Sequence, residues 1–112
     1  MLREQQKLYK YDMECFTWMD LLKKLRKDID RSDEVIITAL AQRMSYMPDI
    51  GEYKKEHNIP VFQEKREQEI MKRLKGMARM QGLSEEFVEE VFLSIFNEAK
   101  RIQQDAMNKE EE

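Results

Sequence analysis

Apolar residues return at helical spacing along most of the chain. Starting near Trp18, Leu22, Leu25, Ile29, Ile36, Leu40, Met44 and Met47 recur at three, four and seven positions, one stripe on a helix. Val35, Ile37 and Ala39 add a second apolar face, and a helix apolar on two sides needs neighbours on two sides. The pattern predicts a first helix over about residues 18–56, roughly 55 Å long. Ile50 and Tyr53 continue it, although Pro48 and Gly51 together disfavour a helix by about 4 kcal/mol. Pro48 has no N–H for the carbonyl of Met44, so it should kink the helix or open one turn. Two readings of that break stand side by side. It shapes a functional wall between Arg43 and Lys54, or it bends the long helix around a partner.

His57, Asn58, Ile59 and Pro60 end this element. Asn58 suits a C-terminal turn, and Pro60 pushes Ile59 out of helical geometry. A second helix is predicted from about Gln63, with Ile70, Leu74 and Met77 turned inward and Gly82 as its stop. Ser84 then caps a third, with Glu85 and Glu86 in a first turn that favours acidic residues. Its expected buried side is Phe87, Val88, Val91, Phe92, Ile95, Ala99 and Ile102. The expected fold is all-α, with one long, one short and one medium helix per chain. Two shorter helices cannot cover so long a first helix within one small globule. A second copy whose long helix covers the remaining stripe gives a helical dimer. Residues 1–19 read as an N-terminal extension, 20–106 as the helical domain and 107–112 as an acidic tail.

Composition narrows the chemistry. The 112 residues are 41% hydrophobic and 38% charged, as in a helical globular domain, with three glycines and two prolines. The net charge of −3 is that of the final Glu110, Glu111 and Glu112, so no broad basic surface for nucleic acid or anionic membrane is implied. Cys15 is the sole cysteine, which excludes an intramolecular disulfide and fits a reducing compartment. His57 is the sole histidine, which argues against a histidine-rich metal site or a Ser–His triad. Residues 1–20 lack the apolar core of a signal peptide, and no run is long enough to span a bilayer. A cytoplasmic protein without metal or other cofactor is expected.

Arg43 and Lys54 are eleven residues apart, about 16 Å along a regular helix but only about 20° around it. Both lean toward one strip of surface, although helix cations are ordinarily just solvated. Arg66 and Glu67 open the second helix, where an ordinary surface pair is the plain reading. Gln103 lies one turn after Ala99 near the end of the third. Arg26 precedes Arg43 by seventeen residues, roughly 25 Å and about 100° away on a straight helix. Arg26 of one chain meets Arg43 only if a second, antiparallel chain brings it there.

The segments LRKDIDRSDEVIITALAQRM, IGEYKKEHNIPVF, REQEIMKRLK and GLSEEFVEEVFLSIFNEAKRIQ, in that order, resemble the all-helical class of chorismate mutases. The likeness spans residues 20–104. It implies an intertwined helical dimer that exchanges its long first helices and builds two identical sites. The implied reaction is the cofactor-free Claisen rearrangement of chorismate to prephenate, a step toward phenylalanine and tyrosine.

The resemblance also implies roles. Arg43, with Arg26 from the partner chain, holds the substrate carboxylates. Lys54 contacts a carboxylate and the ether oxygen whose bond breaks, and Gln103 donates to the same oxygen. Glu67 accepts from the ring hydroxyl beside Arg66. Gln63 stands where the family usually carries aspartate, and Ala99 where a serine hydroxyl commonly assists a carboxylate. Such mutases are often joined to, or activated by, other pathway enzymes. Tyr9, Tyr11, Phe16 and Trp18 are therefore a candidate surface for a partner enzyme or for the dimer. The alternatives are the similar isochorismate–pyruvate lyase and a non-catalytic helical dimer that binds an aromatic-pathway metabolite. Glu67 favours the mutase.

Overall fold

The computed structural model describes residues 17–109. The expectations for Tyr9, Tyr11, Phe16 and the terminal glutamates lie outside the described residues. Four helical segments follow in order: α1 (Trp18–Ser45), α2 (Met47–Glu56), α3 (Glu64–Met80) and α4 (Glu85–Asn108). No strand occurs among the described residues, so the all-α expectation holds.

Contacts divide the chain into two units, up to Leu40 and from Ala41 onward. The first unit's helix opens with a reciprocal cap. Thr17 Oγ1 accepts from the Asp20 amide at 3.1 Å, and Asp20 Oδ2 accepts from the Thr17 amide at 3.1 Å. This satisfies two donors that a helix start leaves orphaned. Asp28 pairs with Lys24 one turn before it and Arg31 one turn after, exposed pairs that each add a few tenths of a kcal/mol, about 0.2–0.5. Leu22, Leu25, Ile29, Val35, Ile36 and Ile37 are all exposed among the described residues.

In the second unit α2 and α3 both pack on α4. The single first helix expected over 18–56 is in fact two segments. Its ladder is interrupted at Tyr46, whose backbone stays in the right-handed helical region, and Pro48 falls in the first turn of α2. A first turn needs no intrahelical donor, so the missing N–H costs little there. Ser45 Oγ donates to the Gln42 carbonyl at 2.6 Å and satisfies one carbonyl at the end of α1.

The remaining boundaries follow local rules. Asn58 adopts φ 56°, the Ile59 amide donates to the Lys54 carbonyl at 2.8 Å and the Asn58 amide to the Lys55 carbonyl at 3.4 Å. This double bond around a left-handed residue is the Schellman ending. Gly82, at φ 72°, ends α3 the same way, with the Leu83 amide donating to Ala78 at 2.8 Å. Ser84 accepts from the Phe87 amide at 3.3 Å and caps α4.

The core is small: Met47, Ile70, Ala78, Val88, Ile95, Phe96 and Ala99. Three residues expected inside are exposed: Met77, Phe87 and Val91. The period places each on an apolar helix face, but α3 and α4 bury only the strips along which α4 meets α2 and α3.

Candidate active site

One pocket, of about 200 Å³, lies wholly in the second unit. Its walls come from the end of α1, from α2, from the loop after it, and from α3 and α4. Of the eight positions singled out in the sequence, seven line it: Arg43, Lys54, Gln63, Arg66, Glu67, Ala99 and Gln103. Arg26 belongs to the first unit and is not among the lining residues.

Lys54 and Gln103 form its floor. They are only 9% and 6% exposed, and Lys54 Nζ donates to Gln103 Oε1 at 2.7 Å. The same ammonium donates to the Val61 carbonyl at 2.9 Å. That carbonyl is within reach because the Asn58 turn folds the chain back toward α2. With Oε1 taken by the lysine, the amide orientation of Gln103 is fixed by chemistry. Its Nε2 faces Met47, donating to Sδ at 3.3 Å. An amide nitrogen carries two protons, so one remains for a further acceptor. A lysine has three protons, and two are used here.

Arg43 is the second cation. Its Nη1 is buried and has no hydrogen-bond partner among the described residues. Its guanidinium carbon lies 5.7 Å from the Phe96 ring centroid. A buried donor without a partner carries an appreciable free-energy penalty, so this N–H is available to an acceptor that enters the pocket. Burial, aided by the neighbouring Arg66 charge, pulls the Arg43 pKa below the ordinary arginine value. Burial likewise lowers that of Lys54, against an opposing pull from Glu67. Both cations are thus poorly compensated by the protein alone, and an anion in the pocket reverses the deficit.

The sequence did not mark four contributors. Lys100 pairs with Glu67, Met47 receives Gln103, Phe96 carries Arg43, and Val61 offers a carbonyl. Met47 was legible as an apolar position, but its site contact was not, and Phe96 was not among the positions read as the buried side of the last helix. Among the described residues, no three His, Cys, Asp or Glu side chains are grouped to hold a metal ion, and no helix is long and apolar enough to cross a membrane.

The family described as chorismate mutase type II matches residues 25–104. The bifunctional chorismate mutase/prephenate dehydratase of Aquifex aeolicus is 43% identical over 56 residues, which is 50% of this chain and 16% of that protein. The chorismate mutase of Methanocaldococcus jannaschii is 27% identical over 85 residues, 76% of this chain and 86% of that protein. Among solved structures, a conserved hypothetical protein from Pyrococcus furiosus superposes with a TM-score of 0.59 at 37% identity, covering 74% of this chain and 95% of that one. The chain spans about a fifth or less of the length of the longer curated relatives it matches. The family match runs from the residue before Arg26 to the residue after Gln103, across every position the pocket and the motifs share. This chain belongs to the chorismate mutase type II family.

Proposed function

We propose that the pocket binds chorismate and promotes its Claisen rearrangement to prephenate. The observation that carries this reading is the buried Lys54–Gln103 pair in one pocket with the unpartnered Nη1 of Arg43. A dianion that must fold one flexible arm over its ring needs cations fixed at separate places. Arg43 takes one carboxylate, a task suited to a guanidinium fork. Lys54 offers its third proton to a carboxylate and the ether oxygen. Negative charge grows on that oxygen as its bond to carbon lengthens. Donors already fixed in a water-poor pocket stabilise that charge more than they stabilise the bound substrate. Gln103 supplies its remaining N–H to the same atom. Holding both ends of the substrate removes most of the ordering cost before reaction.

Glu67 accepts from the ring hydroxyl, with Arg66 beside it. Gln63, at the start of α3, contributes its backbone where the resemblance leads one to expect an aspartate. Ala99 offers no hydroxyl, so a carboxylate contact is absent and the Michaelis constant is raised. Arg26 reaches this pocket from a second copy, completing it in a homodimer. The exposed stripe Leu22, Leu25, Ile29 and Ile36 supports that assembly, because so much contiguous apolar surface on one helix calls for a cover. A single cysteine supports a reducing, cytoplasmic setting.

The test is incubation of the purified protein with chorismate, following loss of its ultraviolet absorbance, with isochorismate in parallel. Conversion of chorismate to prephenate is expected. Turnover of isochorismate alone replaces the mutase with the lyase. Turnover of neither by the folded protein leaves a binding module.

A further inference from the structure

The Glu67 carboxylate does not stand alone in the pocket. Lys100 Nζ lies 2.9 Å from Glu67 Oε2, and the two side chains are only 27% and 22% exposed. The same ammonium lies 4.6 Å from the centroid of the Phe62 ring. Lys100 therefore ties α4 to the first turn of α3 and to the loop before it, and it lines the pocket together with Glu67. A pair this sheltered is less screened than an ordinary surface pair. The ring face adds attraction for the cation. Lys100 follows Ala99 directly, and neighbouring helix positions point about 100° apart. It thus serves the Glu67 side of the pocket and does not replace a hydroxyl at Ala99.

We propose that Lys100 is a positioning residue for Glu67. Its ammonium engages Oε2, which leaves Oε1 as the oxygen offered to the ring hydroxyl of the substrate. A carboxylate without that anchor swings about its side-chain torsions and no longer holds an oxygen aimed at the hydroxyl. The pair thereby sets the preference of the site for a hydroxylated ring over a deoxygenated one. This rests on the reading of Glu67 as the hydroxyl's acceptor.

The experiment uses two rigid bicyclic diacids shaped like the rearranging substrate, one with the hydroxyl and one without, as competitive inhibitors. Chorismate kinetics are run alongside. Lys100→Met keeps the side-chain length and removes the charge. It is expected to weaken the hydroxylated diacid about tenfold, the loss of one net hydrogen bond, and to leave the deoxy diacid unchanged. Because the hydroxyl is held alike in ground and transition states, KM rises about tenfold while kcat stays nearly constant. Lys100→Arg retains the discrimination. Phe62→Leu, with both charges kept, weakens it in the same direction.

Equal weakening of both diacids makes Lys100 a direct carboxylate ligand or a purely structural residue and overturns the proposal. So does an unchanged discrimination in Lys100→Met. A wild-type protein that turns over no chorismate and binds neither diacid overturns the functional reading, and this inference with it.

Discussion

Gly51 on α2 lies directly against the backbone of Gln103 on α4. A Cβ built on Gly51 meets the Gln103 carbonyl oxygen at 2.5 Å and its Cα at 3.0 Å. Backbone cannot swing aside as a side-chain tip can. The missing side chain lets two helices approach at the level where Lys54, three residues on, donates to Gln103. A helix-disfavouring residue is therefore held in α2 for the sake of a close crossing. Gly51→Ala should lose more than the ~1 kcal/mol that alanine gains in helix propensity, with overpacking of about 1–3 kcal/mol. Thermal unfolding should show a lower midpoint, and turnover should fall as the Lys54–Gln103 contact is pushed apart. A variant more stable than the parent would show that α2 and α4 separate freely.

The titration of Lys54 gives a second expectation. Burial lowers its pKa from the ordinary lysine value, with Glu67 opposing. The folded chain then releases this proton at lower pH than the unfolded chain. Between the two pKa values the unfolded state binds more protons, so this group's contribution to stability rises with pH there. Activity moves oppositely, because the protonated ammonium is the useful form. The alkaline limb of kcat/KM should fall below the ordinary lysine value. The limb of kcat should lie higher, since a bound dianion favours the charged form. Lys54→Gln should cost about 10²–10³-fold in kcat, as for a lost transition-state donor, and should abolish the limb. Persistence of the limb in that variant would assign it to another group.

Complementation tests the second copy. Arg26→Ala chains and Lys54→Ala chains should each be nearly inactive alone. Mixed and reassorted at equal amounts, they should recover about a quarter of wild-type activity, since about half the dimers are hybrids and each has one intact site. Hybrids that form yet remain inactive would place Arg26 outside the partner's pocket.

Pro48 is exposed and is not among the pocket-lining residues, whereas Met47 and Ile50 are. That favours a conformational role for the break over a catalytic one. Pro48→Ala should leave kcat unchanged and stability equal or slightly higher, because proline in a first turn forfeits little. A large fall in kcat with the fold retained would return the break to the chemistry.

The order of the helices and the ends set by caps and turns were legible in the residues alone, whereas the break at Tyr46 divides a helix expected to run on to about residue 56. Asn58, Gly82 and Ser84 each act within five residues of themselves, through left-handed turns and a cap. Side chains three or four apart share a face, so Ile70, Val88 and Ile95 could be placed inward correctly. The same period over-assigned Met77, Phe87 and Val91, because it marks a face but not which neighbour covers it. The motif positions were legible too, and seven of eight meet in one pocket. What the sequence could not carry were contacts between residues far apart along the chain. Lys54 reaches Gln103 over 49 residues, and Gln103 reaches Met47 over 56. The Lys100–Glu67 pair and the Gly51–Gln103 crossing are of the same kind. No local period encodes such pairs. They arise only once α2 and α3 have docked on α4, where burial removes the water that would otherwise satisfy each charge.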